Sequence, residues 1–459
     1  MTQESTKTSR QRWDAFDHLR GMAAVAVVVL HGAYAYSFQP LVGLIWPVPL
    51  DEPNRIADGL FWATEGCVMP LFFLMSGFFL AQSLSRSLPG HVLRGRTRRL
   101  FVPMATIGIP ILIVDLCVWG LGLVAMGQIS LRDYLKVDYP AEIRADLFGP
   151  AHLWYLEYLW VMCAGVCATA WAWNRIGRAS KDDHPPTVPV QERISFPSLK
   201  FCQKLKLGLC ATGSANALGS RWIHPRTGRA SGTQKFNIDE VLALGLIAGL
   251  IWLVLAIEPA IVVGFQHGWL PAFPKLFHGF MFLLMGMLLH PSSRLREGLR
   301  SFAPLLLAGA LAAFCVMLPR VHAVLQAGDG TRFNAETGAI LAAYALLATA
   351  GIVGGCLRWL DRPRPTLAAL GAASFWLYIV HHPILGLAHL GLRPAPLPAG
   401  MKFLIATGGT LAICLVSYRY LVRDRLAGQL LNGMISRPVR PVADELIDVP
   451  GEPEQKRAA

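Results

Sequence analysis

Apolar residues lie along the chain in long runs, and the charged residues are concentrated in the short breaks between them. Each run is about as long as the roughly 20 residues that an α-helix needs to cross a bilayer. The pattern predicts an all-α fold, a polytopic membrane helical bundle of about ten transmembrane helices. The predicted spans are residues 19–38, 60–82, 101–126, 151–173, 239–258, 272–290, 302–320, 337–357, 366–388 and 401–421.

The charges in the breaks predict how these spans are oriented. Ten spans put both termini on the same side of the membrane, and we expect that side to be the cytoplasm. Arginines are concentrated in the loops that are then cytoplasmic, as the positive-inside rule requires. The loop after the second span contains Arg86, Arg94, Arg96, Arg98 and Arg99, whereas the first outer loop contains Asp51, Glu52 and Asp58.

The composition supports a membrane protein and argues against nucleic acid as a partner. Hydrophobic residues make up 54% of the 459 residues and charged residues only 15%, against about 25% charged in soluble chains. The cytoplasmic loops account for the net charge of +13, so no nucleic acid is expected. The first apolar run is too long for a cleavable signal peptide, and we expect it to remain as an anchor.

Four regions follow from this pattern. Residues 1–173 contain the first four spans and residues 239–425 contain six more. Between them, residues 174–238 form a basic segment that is expected to be a cytoplasmic loop. It is either a disordered insertion or, in part, a basic amphipathic helix on the inner leaflet. Residues 426–459 are predicted to be a disordered cytoplasmic tail.

The first span carries two polar side chains, Arg20 and His31, which an apolar helix does not need. Eleven residues advance an α-helix by about 1100°, roughly 20° past three full turns, and by roughly 16 Å along its axis. Both side chains should therefore face one shared passage, with Arg20 at its cytoplasmic mouth. A guanidinium suits phosphate oxygens, and an imidazole accepts a proton near neutral pH. The alternative is structural, with Arg20 reaching the interface and His31 hydrogen-bonding a neighbouring helix.

Further candidates lie where spans four and nine meet the outer side. His152, Trp154 and Glu157 open span four, and His381 and His382 end span nine just before a proline. Aromatic and imidazole groups there would suit a sugar acceptor or an aromatic belt. Adjacent histidines point to different faces of a helix, and no carboxylate accompanies them in the sequence. We therefore expect no metal site.

Other polar residues inside the spans have weaker interpretations. Ser76 and Gly77 lie in span two, where small residues allow helices to pack closely, although Ser76 remains a candidate for substrate binding. Asp115, Glu65 and His278 also lie inside spans. The sequence assigns no role to these three.

These motifs resemble the acyltransferase-3 family of integral membrane acyltransferases. The first span matches its pattern of a basic residue, ten residues and a histidine, within D-x-L-R-G. FFLMSGF (72–78) is similar to its FF-x-x-SGF motif, and RRLFVP (98–103) to its basic motif before the third span. HLWYL (152–156) and SFWLYIVHHP (374–383) resemble, more narrowly, the glucan biosynthesis protein C branch, which succinylates periplasmic glucans. The long segment 174–238 departs from that branch.

The resemblance implies transfer of an acyl group, succinyl or acetyl, from cytoplasmic acyl-CoA to a hydroxyl of an extracytoplasmic glucan or other glycan. It implies no bound cofactor and a multi-pass protein of the plasma (inner) membrane. Arg20 with Arg98 and Arg99 would hold the coenzyme A phosphates, and His31 would be the general base or the acyl carrier. The implied acceptor side comprises His152, Trp154, Glu157, His381 and His382. The alternative function is a glycan or lipid-linked sugar transporter, although the two related halves typical of transporters are not evident.

Overall fold

The computed structural model describes residues 13–39, 41, 46–48, 52–140, 149–179, 238–263, 268–326 and 335–431. These residues form helices and connections without any strand. Eight helical segments among them are long and apolar enough to cross a membrane. The prediction of an all-α, polytopic membrane bundle is therefore confirmed, whereas the orientation of the termini stays a prediction.

Most neighbouring helices in the described ranges are separated by fewer than ten residues, and several spans are built from two pieces. In chain order they are α1 (Asp14–Tyr34), α2 (Arg55–Glu65), α3 (Val68–Leu84), α4 (Pro89–Pro103), α5 (Ile109–Ala125), α6 (Leu131–Lys136), α7 (Trp154–Ala179), α8 (Ile238–Ile257), α9 (Ala260–Val263), α10 (Phe273–Leu289), α11 (Ser293–Gln326), α12 (Ala335–Trp359), α13 (Pro365–Leu392), α14 (Ala399–Ser417) and α15 (Leu426–Leu431). The segment Met104–Gly108 is a π-helix that joins α4 to α5, and Ala151–Leu153 is a 3₁₀ turn before α7.

Two predicted spans are not among the eight segments. The first corresponds to α1, whose first two turns carry two aspartates and an arginine, and the sixth to the shorter apolar helix α10, of 17 residues. Residues 180–237 of the predicted loop and 432–459 of the predicted tail lie outside the described residues. The described start of that tail is helical, since it forms α15.

Helix α1 packs directly against α13, and two glycines make this contact possible. A Cβ atom on Gly21 would lie 2.7 Å from the backbone nitrogen of Gly371, and a Cβ on Gly371 would overlap the carbonyl of Asp17. Further along, His31 of α1 meets His381 of α13. Both helices therefore run in the same direction, in contact along their length, as expected for odd-numbered spans.

A second close crossing joins α3 to α10, and it lies where the sequence predicts close packing. A Cβ on Gly77 would overlap the carbonyl group of Leu283, and a Cβ on Gly286 would overlap that of Leu74. Small residues at such crossings let two helix backbones approach and gain van der Waals contact. This crossing holds α3 in place beside α1.

We expect Gly77→Ala to lower the melting temperature of the detergent-purified protein. The added methyl group must push α3 away from α10, and overpacking of this kind costs roughly 1–3 kcal/mol. Gly409→Ala on α14 is the matched control, because no atom of another described helix would lie within 4 Å of the added methyl group. Equal melting temperatures for the two variants would show that the α3–α10 contact is looser than described.

Candidate functional site

The first turns of α1 border a large basic cavity, which we call the arginine cavity. It has a volume of about 720 Å³ and is lined by Arg20, Arg86, Arg96 and Arg99, with Asp17 as the one carboxylate. Arg20 is held in place by its Nε–H donating to the carbonyl of Gly371 at 3.2 Å and by Asp17 at 3.3 Å. Four guanidinium groups against one carboxylate make this cavity suitable for a polyanion.

The other end of α1 borders a smaller cavity, which we call the histidine cavity. It has a volume of about 60 Å³. Its polar lining comes from five helical segments and comprises His31, Glu65, His152, Lys275, His278 and Tyr378. It therefore combines titratable groups with very little space.

The two cavities lie at opposite ends of the groove between α1 and α3. Phe73 lines the histidine cavity and Phe79 lines the arginine cavity, with Ser76 between them on α3. The hydroxyl of Ser76 lies 2.8 Å from that of Tyr155, which donates to the carbonyl of Phe72 at 3.2 Å. Arg20 and His31 thus border two separate cavities rather than the single passage expected from their spacing.

The hydrogen bonds of His31 fix its tautomer. Its Nδ1 lies 2.9 Å from the carbonyl oxygen of Val27, which can only accept, so Nδ1 carries the proton. The Nδ1 of His381 lies 2.9 Å and 3.0 Å from the carbonyls of Leu377 and Tyr378 and must also be protonated. The unprotonated Nε2 of His381 then accepts from Nδ1 of His31 at 3.3 Å. The Nε2 of His31 is left as a basic nitrogen on a residue that lines the cavity.

A buried carboxylate joins two further histidines next to this pair. Asp115 of α5 lies 3.0 Å from Nδ1 of His382 and 3.1 Å from Nδ1 of His152. The rings of the two histidines are stacked, with centres 4.6 Å apart and planes inclined by 10°. The expectation that no carboxylate accompanies His382 is therefore wrong, since the partner comes from a helix 267 residues away in the sequence.

Asp115, His152 and His382 are the one such trio within the described ranges whose ligand atoms are close enough to share a metal ion. An imidazole nitrogen directs its lone pair in the plane of its ring. Because the two rings are nearly parallel and stacked, their lone pairs do not converge on one point. The arrangement fits one carboxylate that is hydrogen-bonded to His382 and paired with His152 better than it fits a metal.

The structure also corrects the positions of the histidines predicted at the outer ends of spans. Helix α13 does not end before Pro383 but continues through it to Leu392, so His381 and His382 are buried in its middle. Proline has no N–H and leaves the carbonyl four residues earlier without its helical donor. That carbonyl belongs to Ile379, and it accepts from Nε2 of His152 at 2.9 Å. His152 is consequently buried, with 3% of its surface exposed, instead of lying at the interface.

Three sequence candidates differ in where their side chains lie. Trp154 lines the histidine cavity, whereas Glu157 lines neither cavity. The Oε2 atom of Glu157 has no hydrogen-bond partner in the described part of the chain. Arg98 is not part of the arginine cavity, although Arg96 and Arg99 are. Residues three apart share a helix face, and Arg98 points elsewhere from the same helix.

Glu65, Lys275 and His278 line the histidine cavity; the sequence offered Glu65 and His278 without a role and did not indicate Lys275. The ammonium group of Lys275 lies 3.9 Å from the centre of the Trp154 ring, and the acidic Glu65 lines the same cavity. The sequence feature that could have indicated Lys275 as a site residue is its position inside the otherwise apolar stretch FPKLFHGF (273–280). Its acidic partner could not be identified, because it lies on another helix.

We expect Glu65→Met to lower the melting temperature strongly, since it leaves the charge of Lys275 without its buried counter-ion. Breaking a buried pair from one side costs roughly 3–5 kcal/mol, whereas replacing both charges by apolar groups is often neutral. The double variant Glu65→Met/Lys275→Met should therefore melt at a higher temperature than Glu65→Met alone. A double variant less stable than both single variants would argue against the pair.

The comparison with known proteins agrees with this architecture. The sequence profile of the acyltransferase-3 family, described as an acyltransferase domain, matches residues 13–181 and 241–419. These two stretches include every residue that lines the histidine cavity. No curated protein and no solved structure matches the chain. The chain therefore belongs to the acyltransferase-3 family and is a multi-pass membrane acyltransferase.

Proposed function

We propose that this protein transfers an acyl group from cytoplasmic acyl-CoA to a hydroxyl of a glycan on the other side of the plasma membrane. The observation that carries this proposal is the unprotonated Nε2 of His31 at the histidine cavity, on the same helix as the arginine cavity. Family membership supplies the reaction class. The motif likeness to glucan biosynthesis protein C makes a glucan the first acceptor to test and succinyl or acetyl the first acyl groups.

The arginine cavity is the proposed donor site. Coenzyme A carries several phosphates, and guanidinium groups bind phosphate oxygens through paired, charge-assisted hydrogen bonds. Arg20, Arg86, Arg96 and Arg99 converge on a volume of about 720 Å³. Basic residues are concentrated on the cytoplasmic side of membrane proteins, which is also where acyl-CoA is found.

The acyl end of the donor must then reach His31. Eleven residues of α1 separate Arg20 from His31, or roughly 16 Å at 1.5 Å per residue. The groove between α1 and α3 is the shortest route, and the hydrogen-bonded Ser76 and Tyr155 lie on it. We propose that donor binding displaces this pair, so that the thioester carbonyl enters the histidine cavity.

His31 is the proposed general base. Its Nε2 takes the proton from the acceptor hydroxyl while that oxygen attacks the thioester carbonyl. When the tetrahedral intermediate collapses, the carbon–sulfur bond breaks and the sulfur takes the proton back from His31. The products are the glycan ester and free coenzyme A. General-base catalysis of this kind contributes typically 10²–10⁴-fold, and His381 keeps the proton of His31 on Nδ1.

We expect His31→Gln to lose about 10²–10⁴-fold in ester formation, the usual contribution of a general base. Membranes containing the protein are supplied with radiolabelled succinyl-CoA or acetyl-CoA, and labelled glycan is counted. The control is His322→Gln, because His322 lines neither cavity and pairs with Asp58. Unchanged labelling in His31→Gln would remove His31 from the chemistry. Glycan export without esterification by the unaltered protein would instead indicate a transporter.

We expect Arg99→Gln to raise the KM for acyl-CoA about tenfold or more, since a hydrogen bond to a charged group contributes about 1.5–3 kcal/mol. Arg98→Gln is the matched control, because it removes the same charge from the same helix outside the arginine cavity. Equal KM values for the two variants would place the donor elsewhere.

A further inference from the structure

A carboxylate and two imidazoles that the proposed reaction does not use lie at the histidine cavity, with His152 in its lining and Asp115 and His382 outside it. Asp115, His152 and His382 are each 3% exposed or less. Their positions come from three separate parts of the chain: α5, the 3₁₀ turn before α7, and α13. Polar groups buried at this depth destabilise the fold unless each N–H group faces a hydrogen-bond acceptor and each lone pair faces a donor.

Counting donors and acceptors shows that neutral histidines do not satisfy this cluster. The carbonyl of Ile379 accepts at 2.9 Å from Nε2 of His152, so this nitrogen carries a proton. The other nitrogen, Nδ1, lies 3.1 Å from Oδ2 of Asp115, which is an ion-pair distance, and neither atom has a hydrogen-bond partner among the residues described. A neutral His152 would thus place a nitrogen lone pair 3.1 Å from an anionic oxygen inside an apolar bundle.

One additional proton removes this conflict. Imidazole is the stronger base of the two groups, and the N–H of His382, at 3.0 Å from Oδ1, further stabilises the carboxylate anion. The proton therefore belongs on Nδ1 of His152. We propose that Asp115 is a positioning residue that keeps His152 as an imidazolium, and that this cation stabilises the oxyanion formed during acyl transfer.

The orientation of the pair suits that role. His152 lines the histidine cavity together with His31, whereas Asp115 lies behind His152 and does not line the cavity. The pair is a fixed dipole whose positive end faces the place where the carbonyl oxygen becomes negative. Such preorganised charge lowers the barrier because it needs no rearrangement during the reaction. The Nε2–H of His152 donates to the carbonyl of Ile379 and its Nδ1 faces Asp115 at 3.1 Å, so His152 acts through its charge. This inference rests on the proposed acyl transfer at His31.

The variant Asp115→Asn separates charge from structure. Its amide oxygen can still accept from His382, and its NH₂ group can face Nδ1 of a neutral His152, so both contacts are kept while the charge pair is lost. We expect kcat to fall about 10²–10³-fold, the usual effect of losing oxyanion stabilisation. The KM for acyl-CoA and the melting temperature should stay near those of the unaltered protein, because the arginine cavity and the packing are untouched.

Asp58→Asn is the matched control. Asp58 is also a buried aspartate, it accepts from the backbone N–H of Phe38 at 3.1 Å, and it pairs with His322 at 3.0 Å. It lines neither cavity, so its variant should keep kcat. If Asp115→Asn is poorly folded, His152→Gln tests the same charge. We expect His152→Gln to lose kcat to a similar extent. The double variant Asp115→Asn/His152→Gln should lose no more kcat than either single variant.

Three results would overturn the inference. A kcat within twofold of the unaltered protein in Asp115→Asn or His152→Gln would show that the charge is not used. A raised KM with unchanged kcat would make the cluster a binding element. One equivalent of bound zinc by mass spectrometry, absent from Asp115→Asn, would make it a metal site. No ester formation by the unaltered protein would instead reject the proposed function itself, so the two failures are distinguishable.

Discussion

The parallel contact between α1 and α13 is the constraint on which the rest of the site depends. Gly21 and Gly371 let the two backbones touch at one end. One helix then cannot slide along the other, and ten residues later on each helix His31 and His381 meet at 3.3 Å. The same contact places Arg20 against the carbonyl of Gly371. A backbone contact between two glycines thus sets the positions of both a cation and a base.

Inside the bundle, several buried polar groups are bonded to groups on other elements, and these bonds link the rest of the site. Pro383 frees the carbonyl of Ile379, that carbonyl binds His152, and His152 is held against Asp115. Polar groups in hydrocarbon have no water to bond, so a proline in a membrane helix is tolerated where a neighbour supplies the missing donor. The proline is therefore part of the architecture of the histidine cluster.

The fold class was predictable from the sequence because apolar runs and loop charges report directly on membrane spans. The positions of Arg20 and His31 on one helix were predictable for a similar reason, since helical geometry relates residues within a single span. The partners of His382 and Lys275 were not, because Asp115 and Glu65 lie on other helices. The prediction that α13 ends before Pro383 was wrong. The N–H group that a proline lacks is replaced by the Nε2–H of His152, which lies more than two hundred residues earlier in the sequence.

In the proposed reaction, a donor held in the arginine cavity presents its acyl group to His31. An experimental structure of the full chain with a non-transferable acyl-CoA analogue, in which the sulfur is replaced by a methylene group, tests this directly. We expect phosphates on Arg20, Arg96 and Arg99, the chain of the donor between α1 and α3, and the acyl carbonyl in the histidine cavity beside Nε2 of His31. An analogue bound outside the arginine cavity, or one whose acyl group stays on the phosphate side of Ser76 and Tyr155, would contradict it.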